Sequence, residues 1–235
     1  METRKNYQDR VYRFMKEELS EERKFHTSSG LARKVSAGGK FLTFVGDTVV
    51  FLLDHEIKNR LITYQNMLYK ECQELLAERI DPDTFHMTLH DLSNGTPSEE
   101  LWITSQQNYI QSRRILAEYQ QSMDRMIRLK SVSVFPMMNT SIVLGLEPAD
   151  ESSWQLLMEM YEKFQEVVRL DYPLTLHITL AYLKPGEYDK QAVCHLKEAL
   201  HKINNGGLPE ITLSVSGLVY QRFDDMNYYY CVTEG

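Results

Sequence analysis

Apolar positions recur at steps of three and four along the longer stretches of this chain and alternate with polar ones along several short stretches. That contrast sets out most of its elements. In 7–25, Tyr7, Val11, Phe14, Met15 and Leu19 share one face among charges, which predicts an amphipathic helix extending as a solvated arm. Residues 27–39 carry Ser, Gly, Lys and Arg without a period and read as a loop. Residues 40–45 and 48–53 are β-rich and parted by Gly46-Asp47, a two-residue hairpin signal. The spacing of Leu61, Tyr64, Leu68, Cys72, Leu75 and Leu76 predicts a helix over 57–80, stopped by Asp81-Pro82-Asp83. A strand over 84–92, a turn-rich SNGTP loop and a long polar helix over 99–129 follow. The second half reads as strands over 130–135 and 141–146, a helix over 150–168, a strand over 174–183 and a helix over 188–203. Strands over 211–220 and 228–232 close the chain.

The same order of hairpin, helix and apolar strand occurs twice, and the strands read FHMTL and LHITL. Thr48 lies 38 residues before His86, and Ser141 lies 36 before His177, so the chain reads as internally duplicated. Residues two apart on a strand share a face. Thr84, His86, Thr88 and His90 therefore oppose Phe85, Met87 and Leu89, while Thr175, His177 and Thr179 oppose Leu174, Leu176, Ile178 and Leu180. Each strand buries one face and presents a His and a Thr about 6–7 Å apart, an arrangement suited to a cleft.

Composition narrows the classes. With 43% hydrophobic and 25% charged residues in 235, the chain is globular, and intrinsic disorder is excluded. The longest clean apolar run, 49–53, falls far short of the roughly 20 residues a membrane helix needs, and no apolar region follows the opening METRKNYQDR. Neither a signal peptide nor a membrane helix is expected. Cys72, Cys194 and Cys231 fit neither a disulfide framework nor a cysteine zinc site, so the chain reads as cytosolic with reduced thiols. The net charge of −7 gives the wrong field for gripping a nucleic-acid backbone, which leaves a nucleotide-sized or chain-end ligand.

A lone strand histidine is more often packed or solvent-facing than catalytic, and Thr is simply a good strand former. Two copies in one register are hard to obtain from packing alone. Histidine titrates near neutrality, so a facing pair can hold a neutral base and a charged acid at one pH. The base would deprotonate water, the acid would protonate a leaving oxygen, and the threonines would donate to phosphoryl oxygens, with no metal required. His86 and His90 also form HxxxH, but a strand separates them by about 13 Å, too far for one ion. Lys184 and Arg222 sit where solvated edge charges are ordinary and stay unassigned. Tyr228, Tyr229 and Tyr230 read as sheet packing ahead of base stacking, and His55, His195 and His201 show no partner pattern.

The tetrads HMTL, His86 to Leu89, and HITL, His177 to Leu180, resemble the paired HxTx motifs of the 2H phosphoesterase superfamily, which includes bacterial RNA 2′-5′ ligases and 2′,3′-cyclic phosphodiesterases. GKFLTFVGDTVVFLLD and FHMTLHDL are similar to a bacterial branch of it without an assigned substrate. The resemblance runs from about Lys40 to the C-terminus. It implies an α+β, bilobal duplicated fold with two antiparallel sheets facing a central cleft, helices outside, and motifs near 84–91 and 174–183 on the cleft floor. Residues 1–39 would form a separate N-terminal helix and loop before the 40–235 domain. Catalytic and phosphate-binding roles are implied for His86, Thr88, His177 and Thr179. The activity implied is that of a cytoplasmic, metal-independent phosphodiesterase without cofactor, acting as a monomer on cyclic or 2′-5′ phosphodiesters of nucleotides or RNA ends. Neither duplex nucleic acid nor membrane is an expected partner. The alternative is a nucleotide sensor using the same cleft without turnover, against which the retention of both proton-transfer groups argues. A third reading is a partner protein whose N-terminal helix docks elsewhere. Residues 1–35 and the 99–129 helix depart from the compact family pattern.

Overall fold

The structure, a computed structural model, describes residues 2–16, 25–120 and 125–232. In chain order these form α1 (Arg4–Lys16), β1 (Phe25–His26), β2 (Val45–Leu52), α2 (His55–Cys72), β3 (His86–Gly95), α3 (Glu99–Gln120), β4 (Met126–Met137) and β5 (Ser141–Pro148). Then come α4 (Glu151–Gln165), β6 (His177–Tyr182), β7 (Glu187–Tyr188), α5 (Lys190–Asn205), β8 (Glu210–Ser214), β9 (Leu218–Asp225) and β10 (Tyr228–Cys231). Eight strands form one antiparallel sheet in the order β10-β9-β2-β3-β6-β5-β4-β8, while β1 and β7 pair separately.

The class is α+β and antiparallel, as expected, and the large sheet consists of two four-stranded halves. They meet through a single ladder pair, Met87 with Ile178, between β3 and β6. The units β2-α2-β3 and β5-α4-β6 repeat one another. Each helix starts at an aspartate whose side chain accepts from a first-turn amide, Asp54 from Ile57 N and Asp150 from Ser153 N, both at 2.8 Å. α3 packs on β2, β3 and β9, and α4 on β3, β4 and β5. No helix among the described residues is long and apolar enough to cross a membrane.

Four local expectations fail for identifiable reasons. Gly46-Asp47 is no hairpin: both residues lie inside β2, where a Cβ on Gly46 would meet the Ser93 carbonyl at 2.3 Å. The glycine serves close strand packing rather than a turn. Residues 40–45 fold back instead on the loop before them, through the Val35–Phe41 bridge and Leu42 N donating to Lys34 O, around Gly39 at φ +84°. The helix over 57–80 ends at Cys72 because the next residues turn and pair elsewhere, with Leu76 bridging Leu183. The strand over 211–220 splits at a 3₁₀ turn, Val215–Gly217, which sends β8 to one end of the sheet and β9 to the other half. The described part of the polar helix is Glu99–Gln120, and residues 126–129, expected in that helix, belong to β4.

The N-terminal segment is part of the core rather than a solvated arm. Tyr7, Val11, Leu31 and Val35 belong to the same buried cluster as both halves of the sheet. The Tyr7 hydroxyl donates to Leu146 O at 2.7 Å and accepts from Leu176 N at 3.0 Å, so α1 ties β5 to the start of β6. Because Tyr7 and Val11 are spent on their own chain, the part of the apolar stripe they form is not available to an outside partner. The Phe14 side chain and Leu19 lie outside the described residues. Tyr7→Phe removes the hydroxyl and leaves two buried backbone groups unpaired. It should cost about 1–3 kcal/mol in a urea unfolding experiment, and an unchanged midpoint would show that α1 does not brace the sheet.

Candidate active site

The two central strands carry the HxT motifs. Continuing the register of Met87 with Ile178, the backbone of His86 lies across from Thr179 and that of Thr88 across from His177. On the outer sides, His86 pairs with Leu52 and His177 with Gly145. Sequence alternation therefore places both motifs correctly, but only as far as each threonine. Val50 pairs with Thr88 and Val49 with His90, so Leu89 is an extra residue in β3. Val143 pairs with Thr179 and Ile142 with Ala181, so Leu180 is an extra residue in β6. A β-bulge thus follows each HxT directly and shifts the alternation by one position. Asp91 and Tyr182 join the motif residues on the cavity wall, whereas His90, expected on the polar face, is buried against Tyr161 and Phe164 of α4.

His86, Thr88, His177 and Thr179 all line one cavity of about 180 Å³. Its wall also includes Lys34, Asp91, Tyr182 and Tyr229, none of which sequence reasoning assigned to it. Tyr229 reaches it because β10 alternates: its ring lies 4.7 Å from that of His86, while Tyr228 and Tyr230 face outward. Lys34 arrives on the folded-back loop, its ammonium 5.0 Å from the centre of the Phe44 ring. The repeated spacing from each HxT to Asp91 and to Tyr182 was the available signal for those two. Lys184 and Arg222 lie elsewhere. Lys184 caps the Glu74 carbonyl at 3.0 Å, and Arg222 alternates with the cavity residue Phe223 and lines a different surface pocket.

The histidines are held alike. His86 Nδ1 lies 2.7 Å from the Thr84 carbonyl and His177 Nδ1 lies 2.8 Å from the Thr175 carbonyl, each two residues upstream. A carbonyl only accepts, so both Nδ1 atoms carry the hydrogen and both Nε2 atoms are left for a ligand. Burial lowers the His86 pKa to about 4; the Thr84 carbonyl and Asp91 work against that, and His177 and Lys58 add to it. Burial also lowers His177, opposed by the Thr175 carbonyl and Asp91. Burial lowers the Lys34 ammonium below its usual value, against the pull of Asp91. The site therefore offers two neutral imidazoles, two hydroxyls and one partly desolvated cation. A bound anion would favour protonation of one imidazole. Among the described residues no three His, Cys, Asp or Glu side chains converge on a common metal position.

No protein-family model and no curated protein sequence match the chain. Among solved structures it is similar to a conserved protein of unknown function from Agrobacterium tumefaciens, at 16% identity, with 88% of this chain and 93% of that one covered and a TM-score of 0.62. Escherichia coli LigT complexed with 3′-AMP covers 81% of this chain and 96% of its own at 13% identity, with a TM-score of 0.47. The first likeness establishes a shared architecture for a two-halved α+β protein of this kind, and the second is too loose to carry an argument.

Proposed function

We propose that the chain is a 2H-type phosphodiesterase that hydrolyses cyclic or 2′-5′ phosphodiesters of nucleotides or RNA ends in the cytoplasm, acting as a monomer without metal or cofactor. The observation that carries this reading is the matched pair of imidazoles in one small cavity. Each is fixed in the same tautomer by the carbonyl two residues before it, and each is accompanied by a threonine. His177 is the easier to protonate, since the Lys58 charge adds to the lowering of His86. His86 then acts as base and His177 as acid. Water attacks phosphorus as His86 Nε2 takes its proton, the ester P–O bond breaks, and the Nε2 proton of His177 passes to the leaving oxygen. Thr88 and Thr179 donate to the non-bridging oxygens, and Lys34 offsets the charge that develops on them. Ligation is the same sequence reversed.

The reading is tested by incubating the protein with EDTA and a panel of 2′,3′-cyclic nucleotides and 2′-5′-linked oligonucleotides, followed by mass analysis of products. Monoester products in EDTA support it. Binding without turnover across the panel would favour the sensor, and activity restored only by added zinc would move the chain to another class.

A further inference from the structure

Among the described residues that line the cavity of the two motifs, Asp91 is the only carboxylate and Lys34 the only lysine or arginine. A fixed negative charge beside an anion site costs affinity. The other half of the duplicated site does without one. Asp91 follows His86 by five residues and Tyr182 follows His177 by five, each just past its bulge, so the two hold matching places. One half presents a neutral phenol there, and the other a carboxylate.

The carboxylate is fixed from two sides. Tyr172, ahead of β6, donates its hydroxyl to Asp91 Oδ2 at 2.9 Å. The Asp91 carbonyl accepts from His90 Nδ1 at 2.5 Å, and the His90 ring is itself buried against Tyr161 and Phe164 of α4. Asp91 also lines a neighbouring cavity together with Thr88 and His177, which puts the carboxylate on the same wall as the acid histidine. Each motif Nδ1 is taken by a carbonyl, so Asp91 acts on the imidazoles through space across the cavity.

A general acid must carry its proton in surroundings that disfavour charge. Burial lowers both motif imidazoles and the Lys34 ammonium, and Asp91 opposes that lowering in all three. The phenols about it stay neutral, because burial pushes up Tyr161 of α4, Tyr172, Tyr182 of β6 and Tyr229 of β10. His90 is held neutral too, lowered by burial to about 4. Lys58 of α2 is a cation and adds to the lowering of His86. Asp47 of β2 is bonded to Asn108 of α3 and Tyr220 of β9, and Arg10, on the neighbouring cavity, is paired with Glu2 at 2.9 Å.

We propose that Asp91 is a positioning residue for the histidine pair, its carboxylate being the fixed counter-charge that keeps a proton on the acid histidine at a higher pH than the buried cavity would otherwise allow. The inference rests on the phosphodiester reading above and adds to it the group that sets the working pH. Sulfate has no proton that titrates near neutrality, so proton uptake on its binding, from calorimetry at pH 6.5 in two buffers of different ionisation enthalpy, reports the protein's own groups. Asp91→Asn should cut that uptake to about half or less. With the diester that turns over in EDTA, its kcat profile should move toward acid by about 0.5–1.5 pH units, so that turnover at pH 7 falls about 3- to 30-fold and recovers in part at lower pH. A merely structural defect lowers turnover at every pH alike. Asp91→Glu keeps the charge, and its profile should lie nearer the wild type than that of Asp91→Asn. Asp91→Ser is the second neutral variant and decides the matter if Asp91→Asn fails to fold by circular dichroism. No uptake by the wild type, uptake and profile unchanged in the neutral variants, or a loss uniform in pH would overturn the role of Asp91. Absence of turnover by the wild type across the diester panel would overturn the phosphodiester reading, with sulfate uptake still deciding Asp91. Absence of sulfate binding by the wild type would overturn both.

Discussion

Replacing His86 or His177 by alanine should lower turnover by about 10²- to 10⁴-fold while retaining most of the nucleotide affinity, because each substitution removes a proton-transfer group and leaves the threonines and Lys34 in place. The double variant should be little slower than either single one, since the step needs both groups at once. The pH dependence follows from the same pair. In the free protein the base must be unprotonated, so kcat/KM rises as His86 loses its proton through about pH 4. The acid must be protonated, and burial sets the His177 pKa below the ordinary 6.5, so kcat/KM falls again below that value. A bell with its maximum on the acidic side of pH 6.5 is expected, its limbs belonging to the coupled pair. Turnover undiminished in both single variants, or a maximum well into the alkaline range, would remove this mechanism.

The largest effect on stability should come from Asp47→Ala, at a residue that takes no part in the proposed proton transfer. Asp47 is 1% exposed. Its Oδ1 accepts from Ser93 N and from the Ser93 hydroxyl, and its Oδ2 from Asn108 Nδ2 and the Tyr220 hydroxyl, so one carboxylate joins β2, β3, α3 and β9. Tyr220 keeps a second acceptor in the Ser105 carbonyl, but Asn108 and the Ser93 amide keep none that replaces the carboxylate. At about 1–3 kcal/mol for each buried donor left unpaired, the loss should be roughly 3 kcal/mol or more, a large share of the ~5–15 kcal/mol that holds an ordinary domain together. Urea unfolding with an unchanged slope and a markedly lower midpoint would show it. A shift under about 0.5 kcal/mol would mean the network is ornamental.

Asp47 also illustrates what a sequence can and cannot disclose. Gly-Asp between two β-rich runs is the same signal whether the glycine makes a turn or admits a neighbouring backbone, and only the Ser93 carbonyl beside Gly46 decides which. The HxT strands were legible because alternation is a local property, and each local pattern continued unbroken as far as the threonine. One residue later a bulge, which leaves no mark in composition, exchanged His90 for Asp91 and Ala181 for Tyr182. Lys34 could not be placed at all. Its position depends on the Val35–Phe41 bridge, a contact between one segment read as loop and another read as strand. The first helix was read correctly as amphipathic, but periodicity names the buried face without naming what buries it, and here that is the junction of β5 with β6.

The division of the last strands between the two halves has a consequence for synthesis on the ribosome. β8 completes one end of the sheet, whereas β9 and β10 complete the other, next to a strand made more than 160 residues earlier, since Val49 pairs with Tyr220. The N-terminal half therefore leaves the exit tunnel with an open edge along β2 and no Tyr229 beside His86, and pairings so distant in sequence close slowly. The nascent chain carries both histidines well before it has a finished pocket around them. Any ribosome-associated chaperone that shields one edge of this protein would be expected to act on β2, and only until the final hairpin is released.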